Sequence, residues 1–220
     1  MIYPKHLSDN STIGVVALSA GVGSHLDDYK KSIKTLEEHN FKIIETVSVR
    51  SNEEVSNTPE IRANELERLV TDRDVDMIMC ATGGDFLIEI LPFVNYQSIK
   101  DNPKWFMGAS DPTSILYVIT TNLDIATIYG HNASSYDATT LHESQKISLD
   151  IIKGVIREQE SYPLYEVDKN KREDGLYLGS FAPYGYVKDP NNKNKLIVDP
   201  VAAEVVKEIF SLYVSGAGYY

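Results

Sequence analysis

Apolar positions along this chain switch repeatedly between strand and helix periodicity. Residues 12–18 form a β-branched, continuously apolar run and predict a strand, and the small residues 19–24 predict a turn after it. Over 26–38, Leu26, Tyr29, Ile33 and Leu36 recur at helical spacing, and Asn40 stops that helix. Residues 41–49 read as a second strand. Thr58-Pro59 opens the next helix, whose apolar positions are Ile61, Leu66, Leu69 and Val70. Residues 75–81 predict a third strand that runs straight into Thr82-Gly83-Gly84-Asp85, followed by a short helix over 86–93. Residues 105–108 predict a fourth strand, 113–121 a helix and 125–129 a fifth strand.

Strands alternating with helices predict an α/β fold: an open, mostly parallel sheet flanked by helices, Rossmann-like or flavodoxin-like. Ligands of such sheets sit beyond the carboxyl ends of the strands. Two loops fall there, 82–85 after the third strand and 109–111 after the fourth.

Composition sets outer bounds. The chain has 220 residues, enough for one or two domains with a sizeable core. Its lone cysteine, Cys80, lies inside an apolar run, cannot form an intramolecular disulfide and reads as a small core residue. The start of the chain lacks the basic-then-apolar order of a signal peptide, and no apolar run approaches the ~20 residues a membrane helix needs. A reducing, cytoplasmic location and no membrane partner are expected. The net charge of −11 is unevenly placed: residues 168–220 carry seven basic and seven acidic side chains, so the whole excess belongs to residues 1–167. Such an acidic surface repels phosphate backbones and makes nucleic acid an unexpected partner for that part.

The most informative stretch is 106–116, Phe-Met-Gly-Ala-Ser-Asp-Pro-Thr-Ser-Ile-Leu. An apolar strand ends at Gly108 and a second apolar run opens after Pro112, so Ser110 stands at the apex of a strand–turn–helix. Two readings are open. A serine lifted out of the sheet beside the first N–H groups of a helix can act as a nucleophile with an oxyanion hole nearby. Alternatively, Ser110 or Asp111 caps the helix, with Pro112 at its first position. The pair Gly83-Gly84 permits a turn, and beside Ser110 it would also let backbone N–H groups approach a reacting carbonyl. It is neither a dinucleotide fingerprint nor a P-loop, because Gly-x-Gly-x-x-Gly and Gly-Lys-Ser/Thr are both absent. No cofactor or metal is called for.

Several segments together carry a family resemblance. They are Ile13-Gly-Val-Val-Ala-Leu-Ser, Thr58-Pro-Glu-Ile-Arg-Ala-Asn-Glu-Leu, Cys80-Ala-Thr-Gly-Gly-Asp, Leu91-Pro-Phe-Val-Asn-Tyr, Asn102-Pro-Lys-Trp-Phe-Met-Gly-Ala-Ser-Asp-Pro-Thr-Ser and Tyr129-Gly-His-Asn. In this order and spacing, residues 5–165 resemble the nucleophile half of the serine LD-carboxypeptidase family, which includes the microcin C immunity-type peptidases. The resemblance implies that Ser110 is the nucleophile and that the backbone N–H groups of Gly84 and Asp111 form the oxyanion hole. Gly83, His131 and Asn132 become substrate-side candidates. It further implies a peptide substrate with a free C-terminal carboxylate, such as a murein tetrapeptide or a peptidyl-nucleotide, and a homodimer. Ala109 and Pro112 depart from the residues the family usually has beside its serine. The family's Glu and His come from a second domain, and none of His6, His25, His39, His131 and His142 takes that catalytic position. A serine hydroxyl needs an adjacent base, so weak or absent activity is expected of this chain.

Residues 171–216 carry a different resemblance. Pro183-Tyr-Gly-Tyr, a hairpin around Asn191-Asn192 and a helix over 200–214 resemble the start of the recombinase domain of large serine recombinases. Asp199 and Pro200 read as N-cap and first helical residue, and Val201, Val205, Ile209 and Leu212 as an apolar stripe. The expected organisation is therefore an LD-carboxypeptidase-like domain over 1–167 and a recombinase-like fragment over 168–220, a small hairpin-plus-helix extension joined through the linker 168–174. A non-enzymatic remnant, or a DNA-associated protein acting through this tail, is the alternative to a hydrolase.

Overall fold

The computed structural model describes residues 1–159 and 185–214, with side chains at 193, 194 and 209–214 left out of account. Residues 1–159 form one compact unit, and a second unit begins at residue 160. The predicted seam at 167/168, the linker 168–174 and Pro183-Tyr184 lie outside the described residues.

In the first unit, five strands form one parallel sheet in the order β2-β1-β3-β4-β5. They are β1 (Thr12–Val16), β2 (Lys42–Glu45), β3 (Met77–Cys80), β4 (Trp105–Gly108) and β5 (Ile128–Tyr129). The helices are α1 (Leu26–Glu38), α2 (Pro59–Thr71), α3 (Tyr96–Asp101), α4 (Thr113–Leu123) and α5 (Glu143–Ile152). This is the predicted α/β architecture. The central strands read as unbroken apolar runs because side chains alternate between two covered faces. Ile13, Val15, Met77, Met79, Trp105 and Met107 pack with Tyr29 and Leu36 of α1 and Leu149 and Ile152 of α5. Ile78, Cys80 and Phe106 meet Leu66, Leu69 and Val70 of α2, Ile99 of α3, and Ile115, Leu116 and Ile119 of α4 on the other face.

Four expectations need correction. The strand expected over 41–49 stops at Glu45. The Thr46 N–H makes a last bond to the Val15 carbonyl, and Val47–Arg50 then turns as a 3₁₀ helix. The cause is long-range: the carboxylate of Glu65 in α2 accepts both the N–H and the hydroxyl of Ser48 at 3.1 and 3.0 Å, pulling the chain off the sheet edge. The fifth strand is two residues long rather than five, with Ile125 joined to Ile2 by an isolated bridge. Helices α3 and α5 were not foreseen. The Asn95 side chain accepts the Ser98 N–H at the head of α3, and a His142–Gln145 capping box starts α5.

In the second unit, β6 (Tyr186–Asp189) and β7 (Asn192–Val198) form the expected antiparallel hairpin, and α6 (Pro200–Val214) follows. Asp199 caps α6 as its sequence position suggested: Oδ1 accepts the N–H groups of Val201 and Ala202 at 3.0 and 3.1 Å. Among the described residues, no helix is long and apolar enough to cross a membrane.

Candidate functional site

Because the five strands are parallel, every loop that leaves a strand's carboxyl end emerges along one edge. Three of these loops are tied together there. The Ala20 N–H donates to the Gly83 carbonyl at 3.2 Å, linking the β1 and β3 loops. The Phe86 N–H donates to the hydroxyl of buried Ser19 at 2.9 Å. The Leu87 N–H donates to Asp111 Oδ2 at 2.8 Å, linking the β3 and β4 loops. The segment after β5 adds a fourth contact: the Ala109 N–H donates to Asn132 Oδ1 at 3.0 Å, and Asn132 Nδ2 returns a bond to the Ala109 carbonyl at 3.2 Å. Asn132 is buried, and its whole amide is committed to holding the turn from below.

Ser110 is the exposed apex of that turn. Its φ is +68°, the left-handed region that a residue with a side chain enters at a cost of about 1–2 kcal/mol. A strand ending in such a residue and entering a helix at once is the geometry of a nucleophile elbow. Neither Ser110 nor Asp111 is a side-chain cap for α4. Pro112 occupies the N-cap position, no side chain caps the helix, and the Asp111 carboxylate is spent on Leu87. The Ser110 carbonyl instead accepts the Thr113 N–H at 2.9 Å, closing the turn.

Gly83 faces the serine directly. A Cβ there would lie 3.2 Å from Ser110 Cβ and 3.3 Å from its Oγ, a tight fit that would push on the serine side chain. Gly84 has φ +144°, and a Cβ would fall 2.3 Å from Ser19 Oγ, so backbone and space both require glycine. Among the described residues, the N–H groups of Gly84 and Asp111 have no hydrogen-bond acceptor.

The histidines are engaged elsewhere. His131 Nδ1 lies 2.9 Å from Ser148 Oγ and Nε2 3.5 Å from Ser144 Oγ, both on α5. Burial, and secondarily the charge of nearby His142, push its pKa below the usual histidine value. His142 Nδ1 meets the Ser144 hydroxyl at the head of α5, His39 Nδ1 the Thr35 carbonyl at the end of α1, and His6 stacks on Trp105. His25 sits at the head of α1. Among the described residues, no base is hydrogen-bonded to the Ser110 hydroxyl, and no group of three or more His, Cys, Asp or Glu side chains could hold a metal. Cys80 lies buried. Burial first, and the Asp111 charge second, push its thiol up to about 12, so it stays protonated and is no second nucleophile.

Sequence reasoning missed two residues. Arg62 of α2 is fully buried; its Nη1 donates to the Leu18 carbonyl at 2.8 Å and the Phe86 carbonyl at 3.0 Å, and its Nη2 pairs with Glu89 at 2.7 Å. It fastens the bases of the β1 and β3 loops. Tyr129, 69% exposed, presents its hydroxyl 3.4 Å from the Ser110 N–H. Its place in Tyr129-Gly-His-Asn at a strand's carboxyl end was the available signal.

Comparisons with known proteins point to one family and one fold. The family model for the LD-carboxypeptidase N-terminal domain matches residues 13–130. A putative carboxypeptidase of Vibrio cholerae is 29% identical over 132 residues, 59% of this chain and 40% of that protein. The microcin C7 self-immunity protein MccF of Escherichia coli is 31% identical over 126 residues, 56% of this chain and 37% of MccF. The chain thus matches about two-fifths of the length of these relatives. MccF in complex with aspartyl sulfamoyl adenosine superposes with a TM-score of 0.65 at 24% identity, covering 91% of this chain and 58% of that one. The MccF-like protein of Bacillus anthracis gives a TM-score of 0.66 at 23% identity, covering 69% and 47%. These structural likenesses establish a shared fold.

Proposed function

The chain belongs to the LD-carboxypeptidase N-terminal domain family, and we propose that its Ser110 turn is the nucleophile site of a serine-type carboxypeptidase-like hydrolase. The observation that carries this reading is the left-handed φ of +68° at Ser110, on a strand–helix turn where Gly83 faces the hydroxyl so closely that a Cβ would lie 3.3 Å from it. A strained non-glycine apex persists where the surroundings over-determine it, and such residues cluster at active sites. In this reading Ser110 Oγ attacks the carbonyl carbon of the scissile amide while its proton passes to a base. The developing oxyanion takes the N–H groups of Gly84 and Asp111. The C–N bond then breaks, the amine leaves with a proton, and water releases the acyl group from Ser110. Substrates are peptides with a free C-terminal carboxylate, in the murein tetrapeptide or peptidyl-nucleotide class. The second of these is favoured by the aspartyl sulfamoyl adenosine bound to MccF. His131, held on α5 near this edge, is a substrate-side residue.

Because no base among the described residues meets Ser110, the chain by itself is a slow hydrolase. A fluorophosphonate probe tests this. Near neutral pH, wild type and Ser110→Ala should label alike and slowly. At about pH 9, hydroxide partly replaces the base, and labelling should appear at Ser110 in wild type only, at least about tenfold above the variant. Absence of site-specific label at the higher pH overturns the nucleophile assignment. Rapid stoichiometric labelling near neutral pH instead shows that a working base is present and overturns the slow-hydrolase reading.

A further inference from the structure

The two peptide units that flank Phe86 are held from three directions, each by a different part of the fold. Its Phe86 carbonyl accepts Arg62 Nη1 of α2 at 3.0 Å. The N–H of Phe86 reaches Ser19 Oγ in the β1 loop at 2.9 Å, and the N–H of Leu87 reaches Asp111 Oδ2 at 2.8 Å. Ser19 and Arg62 are buried anchors: Ser19 is 1% and Arg62 0% exposed. Asp111 belongs to the turn that carries Ser110. Its bond spans 24 residues and ties the serine's turn to the loop that holds Gly83 and Gly84.

We infer that Asp111 is a positioning residue, whose carboxylate fixes the Gly83-Gly84 loop at its working distance from Ser110 by holding the Leu87 N–H. The inference rests on the nucleophile reading of Ser110 and adds a role for a side chain that reading leaves idle. Two features support it. The glycine loop approaches Ser110 so closely that a methyl group at Gly83 would crowd the hydroxyl, so a small shift of the loop changes the site. Gly84 offers its N–H only while its +144° backbone is held in place, and that backbone lies three residues before the tethered peptide N–H of Leu87. The tether needs an acceptor at this position and needs no charge.

That distinction sets the test. Amide hydrogen exchange, read by mass spectrometry on the full chain, should show the 82–87 segment opening about tenfold faster in Asp111→Ala, the scale of one lost hydrogen bond. Asp111→Asn keeps an acceptor oxygen and should recover most of that protection. Fluorophosphonate labelling of Ser110 at about pH 9 should follow the same order, falling about tenfold in the Ala variant and recovering in Asn. Unchanged exchange over 82–87 in Asp111→Ala overturns the inference whatever the label does. If the wild-type chain shows no Ser110 label, the proposed function fails, and the exchange measurement still decides the tether. Should Asp111→Ala not fold, Asp111→Asn carries the test: fast exchange over 82–87 in a folded Asn variant overturns the inference.

Discussion

Ser110 pays for its position with backbone strain, and that strain is measurable. At φ +68° its Cβ crowds the neighbouring carbonyl. Ser110→Gly removes the clash, while the glycine loses some additional freedom on folding. The net expectation is a gain of about 0.5–1 kcal/mol, or an upward Tm shift of about 2–4 °C by thermal denaturation. Ser110→Ala keeps the strain and should melt close to wild type. A glycine variant less stable than Ser110→Ala would show that the turn is relaxed. The sequence pointed to this apex because Gly108 and Pro112 bracket it, yet it left cap and nucleophile open. What separates them is the fate of Asp111, whose partner Leu87 lies 24 residues away, beyond any local pattern. Arg62 was illegible for the same reason. On an amphipathic helix it reads as a solvated charge, and only the carbonyls of Leu18 and Phe86 explain why it is buried.

Among the elements, the strong apolar periods were legible and the short ones were not. β1, β3, β4, α1, α2 and α4 each present several apolar positions in one period, whereas α3 has six residues with Ile99 as its buried position. α5 was hidden similarly, though its capping box was written in His142 and Gln145. This helix matters to the site because His131, just after β5, is hooked to it through Ser148 and Ser144. The groups facing the ring are those two hydroxyls, Tyr136 at a ring-centroid distance of 5.9 Å, and His142. Burial and the His142 charge lower the His131 pKa in the folded protein, so the folded state favours the neutral ring. Above the unfolded value of about 6.5 both states are neutral and the contribution is fully present. As pH falls below that value the unfolded chain takes up the proton first, and stability drops until the lower folded pKa is passed. Urea denaturation from pH 8 to pH 5 should therefore show wild type losing stability below about pH 6.5 more steeply than His131→Gln. Parallel curves would show that His131 titrates alike in both states.

At the scale of the molecule, what is distinctive is where the core ends. The five strands of the parallel sheet, the helices that cover it and all residues of both hydrophobic clusters lie before residue 153. The site is likewise complete in its backbone by Asn132. The two-face burial that makes a parallel sheet stable is thus satisfied inside the first unit, and the second unit builds its own hairpin and capped helix, with Gly185 at φ +96° placed so that a Cβ there would lie 3.1 Å from Val206. The first compact unit ends at Gln159, just after α5 closes its core. A chain cut after Gln159 should therefore keep a single cooperative thermal transition, with a midpoint within about 2–4 °C of the full chain, the shift expected from about 1 kcal/mol in a domain of this size. Near-ultraviolet circular dichroism should retain the fixed environments of Trp105 and Tyr136, both buried in the first unit. A fragment that melts without cooperativity, or loses that signal, would show that residues beyond 159 complete the core and that the two units fold as one.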